Sequence, residues 1–187
     1  MNTTLTFYTI GHSTHSIDEF IALLKPFGIQ QLIDVRSLPG SNKFPQFNSE
    51  NLAISLAQAG IDYVYQQDLG GLRKRSLAKD DRRNALWRNK SFRNYADYAL
   101  SEQYLLALDH LEQQAHDKTS VIMCAEVLWW RCHRRIISDY LLMRGHNVWH
   151  IMPHQPLSQA SLTTGAVIHG QHIHYPETKT QHLTPMQ

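Results

Sequence analysis

Cysteine is scarce in this chain: two in 187 residues, too few for a secreted disulfide scaffold. Seven residues separate them and no second close-set pair of ligands follows, so no metal is expected. No apolar run approaches the roughly 20 residues that span a bilayer. The opening Met1-Asn-Thr-Thr-Leu-Thr-Phe-Tyr8 lacks the basic start and apolar core of a signal peptide. Internal repeats and low-complexity tracts are absent as well. Neither charge sign is in excess: 18 Lys and Arg stand against 16 Asp and Glu, a formal net charge of +2. Such a balance neither demands nor excludes a nucleic-acid partner. What remains is a globular chain, expected in the cytoplasm with no membrane partner. Its length suits one domain with an appendage and can bury a core without staples. Nothing here names a cofactor or an oligomeric state.

Strand and helix signals alternate. Leu5 to Ile10 reads as a first strand, and Ser16 with Glu19 has the spacing of a capping box ahead of a helix that Gly28 ends. Gln31 to Val35 predicts a second strand, Asn48 or Ser49 caps a second helix, and Ile61 to Tyr65 predicts a third strand. Residues 76–90 carry no firm pattern. A helical region runs from Ser91 to Leu111 with a break near Ser101, then Thr119 to Met123 reads as a strand. A helix over Trp129 to Met143, ended by Gly145, and a strand over Asn147 to Met152 close the pattern. The expected fold is α/β: a mostly parallel five-stranded sheet with helices on both faces. It occupies residues 1–152, with a partly irregular C-terminal extension at 153–187 that carries a hairpin signal over Val167 to Tyr175.

Right-handed crossovers put every strand's C-terminal end on one edge, where ligands of such sheets bind. The five exits are Gly11-His12-Ser13, Asp34-Val35-Arg36-Ser37, Asp68-Leu69-Gly70-Gly71, Cys124-Ala125-Glu126 and Pro153-His154. All are polar, glycine-bearing or reactive. Cys124 is the candidate nucleophile, with Glu126 and His133 as acid/base groups. On a helical wheel His133 falls within the apolar stripe of Trp129, Ile136, Ile137, Tyr140 and Leu141, while Arg131 and Arg135 point away. Arg36 and Arg134 are candidate anion clamps, and Asp34 shares a strand side with Arg36. Gly11, His12, Ser13, Gly70 and Gly71 would line the pocket. The basic residues Arg73, Lys74, Arg75, Arg82, Arg83, Arg88 and Lys90 surround Trp87 and Phe92, a mixture that can bind phosphates and stack bases.

Several of these motifs together resemble the domain-of-unknown-function 488 family: Thr9-Ile-Gly-His-Ser13, Ile33-Asp-Val-Arg36 with Pro39 and Ser41, Leu69-Gly-Gly71, Ser91-Phe-Arg-Asn-Tyr-Ala96, and Cys124-Ala-Glu126 with Cys132-His-Arg134. Many members carry a proline between that glutamate and cysteine, where this chain reads Val127-Leu-Trp-Trp130. The resemblance implies an α/β domain, marks Ser41 as a further site residue, and names no reaction. The expected function is an enzyme using Cys124, Glu126, His133 and arginines on a nucleotide, nucleic acid or other phosphate-bearing substrate. Two alternatives stand beside it: a nucleic-acid-binding module without catalysis, and a metal- or redox-linked protein using Cys124 and Cys132.

Overall fold

The computed structural model describes residues 3–40, 42–75 and 82–177. Strand β1 (Thr6–Gly11) leads to α1 (Ile17–Leu24), whose start is fixed by the expected capping box: the Ser16 hydroxyl accepts from the Glu19 backbone, and the Glu19 carboxylate accepts from the Ser16 backbone. One tighter turn follows, and the left-handed Gly28 ends it. Strand β2 (Gln31–Asp34), α2 (Ser49–Gln58) and β3 (Asp62–Tyr65) come next. The long helical region splits as expected into α3 (Lys90–Tyr98) and α4 (Glu102–Ala115), with the Ser101 hydroxyl capping the second. Strand β4 (Ser120–Cys124), α5 (Arg134–Met143) and β5 (Asn147–His150) complete the alternation.

The sheet order is β3-β2-β4-β1-β5, all parallel. A two-residue sixth strand not foreseen, β6 (Ser158–Gln159), pairs antiparallel with β5. Side chains alternate across the central strands, so each face has its own core. Ile10, Leu32, Val121 and Met123 pack with Phe20, Leu24, Leu52 and Leu56 of α1 and α2. Phe7, Ile33, Ile122 and Val148 pack with Tyr95, Tyr104, Leu108, Ile136, Ile137 and Tyr140 of α3, α4 and α5. Burying such side chains contributes roughly 1.5–3 kcal/mol each. The hairpin β7 (Val167–His169) and β8 (His172–His174) delivers Ile173, followed by Tyr175, into that second core. The Tyr175 hydroxyl and the Thr163 backbone both donate to the buried Asp139 carboxylate on α5. The C-terminal stretch thereby grips the helix that follows the cysteines. No helix among the described residues is long and apolar enough to cross a membrane.

Helix α5 differs from its sequence reading at the start. Trp129–Arg131 is one tight separate turn, and Cys132 is extended at φ −124 and ψ 151. His133 nevertheless faces inward against Val35 and Tyr95, and Arg131 is exposed, as the wheel gave them. The altered start matters for Arg134, which turns inward and becomes a fully buried side chain.

Candidate active site

The site forms where β1, β2 and β4 end side by side. Gly11 pairs with Cys124 in register, and the ladder continues past both strands through His12 N–H to the Cys124 carbonyl and Ser13 N–H to the Ala125 carbonyl. A Cβ at Gly11 would fall onto the Glu126 carbonyl, so only glycine lets the loop after β4 fold back over β1. That loop carries the chain from Cys124 through Glu126 to Cys132. It returns the second cysteine to the first: the two sulfurs stand 2.8 Å apart, both thiols free. Cys124 is 3% and Cys132 5% exposed. Both lie on a cavity of about 360 Å³ whose other walls include Arg36, Ser37, Gly71, Glu126, Arg131 and His133, with Leu38, Leu72 and Phe92.

Four groups converge on the Cys132 sulfur. Arg134 reaches it with its backbone N–H at 3.5 Å and its Nε at 3.4 Å, His133 Nδ1 stands 3.5 Å away, and the Cys124 thiol is the fourth. Burial alone would push the Cys132 thiol up. The Cys124 hydrogen bond and the His133 and Arg134 charges outweigh it and hold the thiol well below its ordinary value. Burial and the neighbouring sulfur push Cys124 well above its ordinary value. The two thiols titrate as one pair: once a proton leaves it, the remaining one is shared across the S···S contact, and the Arg134 and His133 contacts at Cys132 favour the negative charge on that sulfur.

His133 has a fixed tautomer. Its Nε2 lies 3.0 Å from the Val35 carbonyl, which can only accept, so Nε2 carries the hydrogen. In the neutral ring Nδ1 is then free to take the Cys132 proton. Gly71 makes room for this ring, since a Cβ there would sit 2.6 Å from His133 Nδ1. Gly70 does the same for the Ser37 hydroxyl, likewise at 2.6 Å. The close approach allowed by the glycine pair is thus to the protein's own side chains.

The buried charges of Arg36 and Arg134 are engaged internally, while Arg131 on the cavity wall is exposed. Arg36 gives Nε and NH2 to both oxygens of Asp34, which also accepts from the Tyr63 hydroxyl and the Arg36 backbone. Burial opposes the charge on Arg36, but Asp34 outweighs it and the guanidinium pKa rises. His12 gives Nδ1–H to the Ser13 carbonyl and presents Nε2 to Arg36 NH1 at 3.3 Å. Burial lowers its pKa to about 4, so it is neutral, stacked 4.2 Å from Phe47. Arg134, 1% exposed, donates to the Glu126 and Val127 carbonyls and the Thr9 hydroxyl.

The sequence pattern of the family described as "Domain of unknown function DUF488" matches residues 16–141, about two thirds of the chain. This chain belongs to the DUF488 family. The match starts after Gly11-His12-Ser13 and includes both cysteines. Comparisons with curated proteins and with solved structures return no match.

Of the residues singled out from sequence in this DUF488 chain, Arg36, Gly71, Cys124, Glu126 and His133 line the cavity. His12 and Ser13 line an adjoining one of about 490 Å³ that shares Arg36, Leu38 and Glu126 with it. Gly11, Asp34, Gly70 and Arg134 line neither and support the walls from behind. Ser41 lies outside the described residues. Glu126 is exposed on the rim, and its carboxylate accepts from the Leu128 backbone at 3.1 Å. Sequence reading did not single out Leu38, Leu72, Ser91 and Phe92 as lining residues, and Arg131, which it pointed away, stands on the lining as well. Cys132, which it named only in the metal or redox alternative, lines the cavity beside Cys124.

The basic-aromatic region is engaged too. Trp87 stacks on Phe92 at 5.0 Å and lies under Arg135, while Arg73 covers the Tyr98 ring at 3.7 Å and donates to three carbonyls. Residues 76–81 of that region lie outside the described residues. Among the described residues no group of three or more His, Cys, Asp and Glu is set to hold a metal ion.

Proposed function

We propose that this DUF488 chain is a thiol-based redox enzyme that cycles Cys124 and Cys132 between dithiol and disulfide. The observation that carries this reading is the 2.8 Å separation of the sulfurs of two free cysteines that line a cavity. Closing from there to the roughly 2.05 Å of a disulfide needs less than an ångström of movement. Cys132 is the attacking thiolate, poised by His133 and Arg134. Cys124 keeps its proton until Cys132 has been converted to an electrophile, then resolves it. Glu126 shapes the loop that brings the cysteines together, through its carbonyl to Arg134 and its carboxylate to Leu128.

A phosphate-bearing substrate finds less support than the sequence suggested. The Arg36 charge is met by Asp34, Arg134 does not line the cavity, and the exposed Arg131 on its wall is offset by the Glu126 carboxylate on the same lining. A nucleic-acid module finds less support as well, since Trp87 and Arg73 are committed to internal stacking.

Equilibration in glutathione redox buffer tests the reading. The expected product is one intramolecular Cys124–Cys132 disulfide without dimer, with Cys124→Ser trapping a mixed disulfide at Cys132. A chain that keeps both thiols across the whole buffer range, or a Cys124→Ser chain that traps nothing at Cys132, contradicts it.

A further inference from the structure

Resting on the dithiol reading, we infer that the oxidising substrate of this site is a small organic hydroperoxide. The inference rests on which oxidants can reach the sulfur and on where the protons sit.

Reach comes first. Both cysteines are at most 5% exposed and line a cavity of about 360 Å³. Attack on a disulfide needs three sulfurs nearly in line, and a disulfide within a folded protein cannot be brought onto cysteines so buried. A slim peroxide oxygen can. The lining includes the apolar Leu38, Leu72 and Phe92, of which Leu38 and Leu72 are 72% and 69% exposed. An alkyl or aryl group seated there covers surface that is otherwise left in water. The exposed Glu126 carboxylate on the same lining offsets the Arg131 charge, so the site does not select an anionic substrate.

The chemistry then balances with the groups in place. His133 Nδ1, 3.5 Å from the Cys132 sulfur, is placed to take the proton that the thiol gives up. The Cys132 thiolate attacks the terminal peroxide oxygen and an S–O bond forms. The O–O bond breaks, and the departing alkoxide takes the Nδ1 proton to leave as an alcohol. Sulfur has been oxidised to sulfenic acid and the peroxide reduced by two electrons. The Cys124 sulfur, already 2.8 Å away, displaces hydroxide from Cys132; with the Cys124 proton it leaves as water, and the disulfide remains. A small-molecule dithiol, which can reach the buried cysteines as a folded protein cannot, reduces that disulfide by exchange and closes the cycle. Arg134 holds the thiolate from the buried side without occupying the cavity, which leaves the sulfur's open side to the peroxide.

The test is stopped-flow oxidation of the pre-reduced chain by cumene hydroperoxide, with hydrogen peroxide and diamide as parallel oxidants. Expected is oxidation by cumene hydroperoxide at least about tenfold faster than by hydrogen peroxide, the least that seating a side-chain-sized apolar group brings. In Cys124→Ser, dimedone should trap a sulfenic acid at Cys132. Leu38→Asp, a surface change outside the reacting groups, should erase the preference while diamide still closes the disulfide. If cumene hydroperoxide reacts no faster than it does with free cysteine while diamide forms the disulfide, the peroxide inference falls and the dithiol reading stands. If diamide also fails to join the cysteines, both fall.

Discussion

The Nε of Arg134 lies 3.4 Å from the Cys132 sulfur, and neither residue is more than 5% exposed. Among the described residues no carboxylate pairs with this guanidinium; its other partners are a hydroxyl and two carbonyls. In the proposed dithiol cycle the Cys132 thiolate is its counter-charge. Oxidation to the disulfide removes that charge and leaves a buried cation unmatched, which favours the reduced form. Arg134→Gln should shift the equilibrium with glutathione toward the disulfide by about tenfold, or roughly 30 mV. An unchanged or opposite shift would separate Arg134 from the thiolate.

The same pairing has a cost in stability. Cys132→Ala leaves the buried guanidinium without its anion and should destabilise the fold by about 3–5 kcal/mol in urea unfolding. Adding Arg134→Met should restore part of that loss. Strict additivity of the two substitutions would show no coupling between the groups.

Stability should depend on pH at both ends of the range. The Cys132 pKa lies below the ordinary 9.0, so between its folded value and 9.0 the unfolded chain binds more protons and stability rises with pH. Above 9.0 the raised Cys124 keeps its proton only in the folded chain, so stability falls again. On the acid side burial lowers His12 to about 4 and His150 to about 3. Both depressed imidazoles contribute stability that is complete above 6.5 and lost as pH falls through the folded values, on the order of 3 kcal/mol each. Urea midpoints across pH should show both limbs. Cys132→Ser should flatten the rise toward 9.0, and His150→Gln part of the acid limb.

Much of this was legible in the sequence. The alternation of elements, the Ser16–Glu19 box, the break at Ser101 and the convergence of strand exits follow from local periodicity and capping. The pairing of the two sulfurs does not. It depends on the path of residues 125–131, where a tight turn at Trp129–Arg131 and an extended Cys132 replace the expected helix. Removing that helical turn re-aims Arg134 from a ligand clamp to a buried partner of Cys132, a change that periodicity cannot report. Leu38 and Leu72 were equally hidden, because lining a mouth is a property of loops rather than of patterned elements.

The glycines give sharper tests. Gly71→Ala places a methyl 2.6 Å from His133 Nδ1, so the ring must move and Cys132 loses its proton acceptor. Alkylation of Cys132 at neutral pH should slow by about tenfold, corresponding to ~1.4 kcal/mol, with the fold intact. Gly11→Ala meets backbone at Glu126 instead, and should destabilise the chain by about 1–3 kcal/mol or more.

Trp87 separates the redox reading from nucleic-acid binding. It is 9% exposed and packs on Phe92 and Tyr175. Trp87→Ala should cost about 3–5 kcal/mol of stability. A stable variant that instead lost affinity for single-stranded nucleic acid would revive the binding-module alternative.

Site-resolved alkylation by iodoacetamide across pH tests the thiolate at Cys132 most directly, since the rate follows the thiolate fraction. Cys132 should be labelled first, at a rate that has already levelled off by neutral pH, with Cys124 protected. A Cys132 rate still climbing through 9.0, or labelling of Cys124 ahead of it, would contradict the assignment on which the dithiol cycle depends.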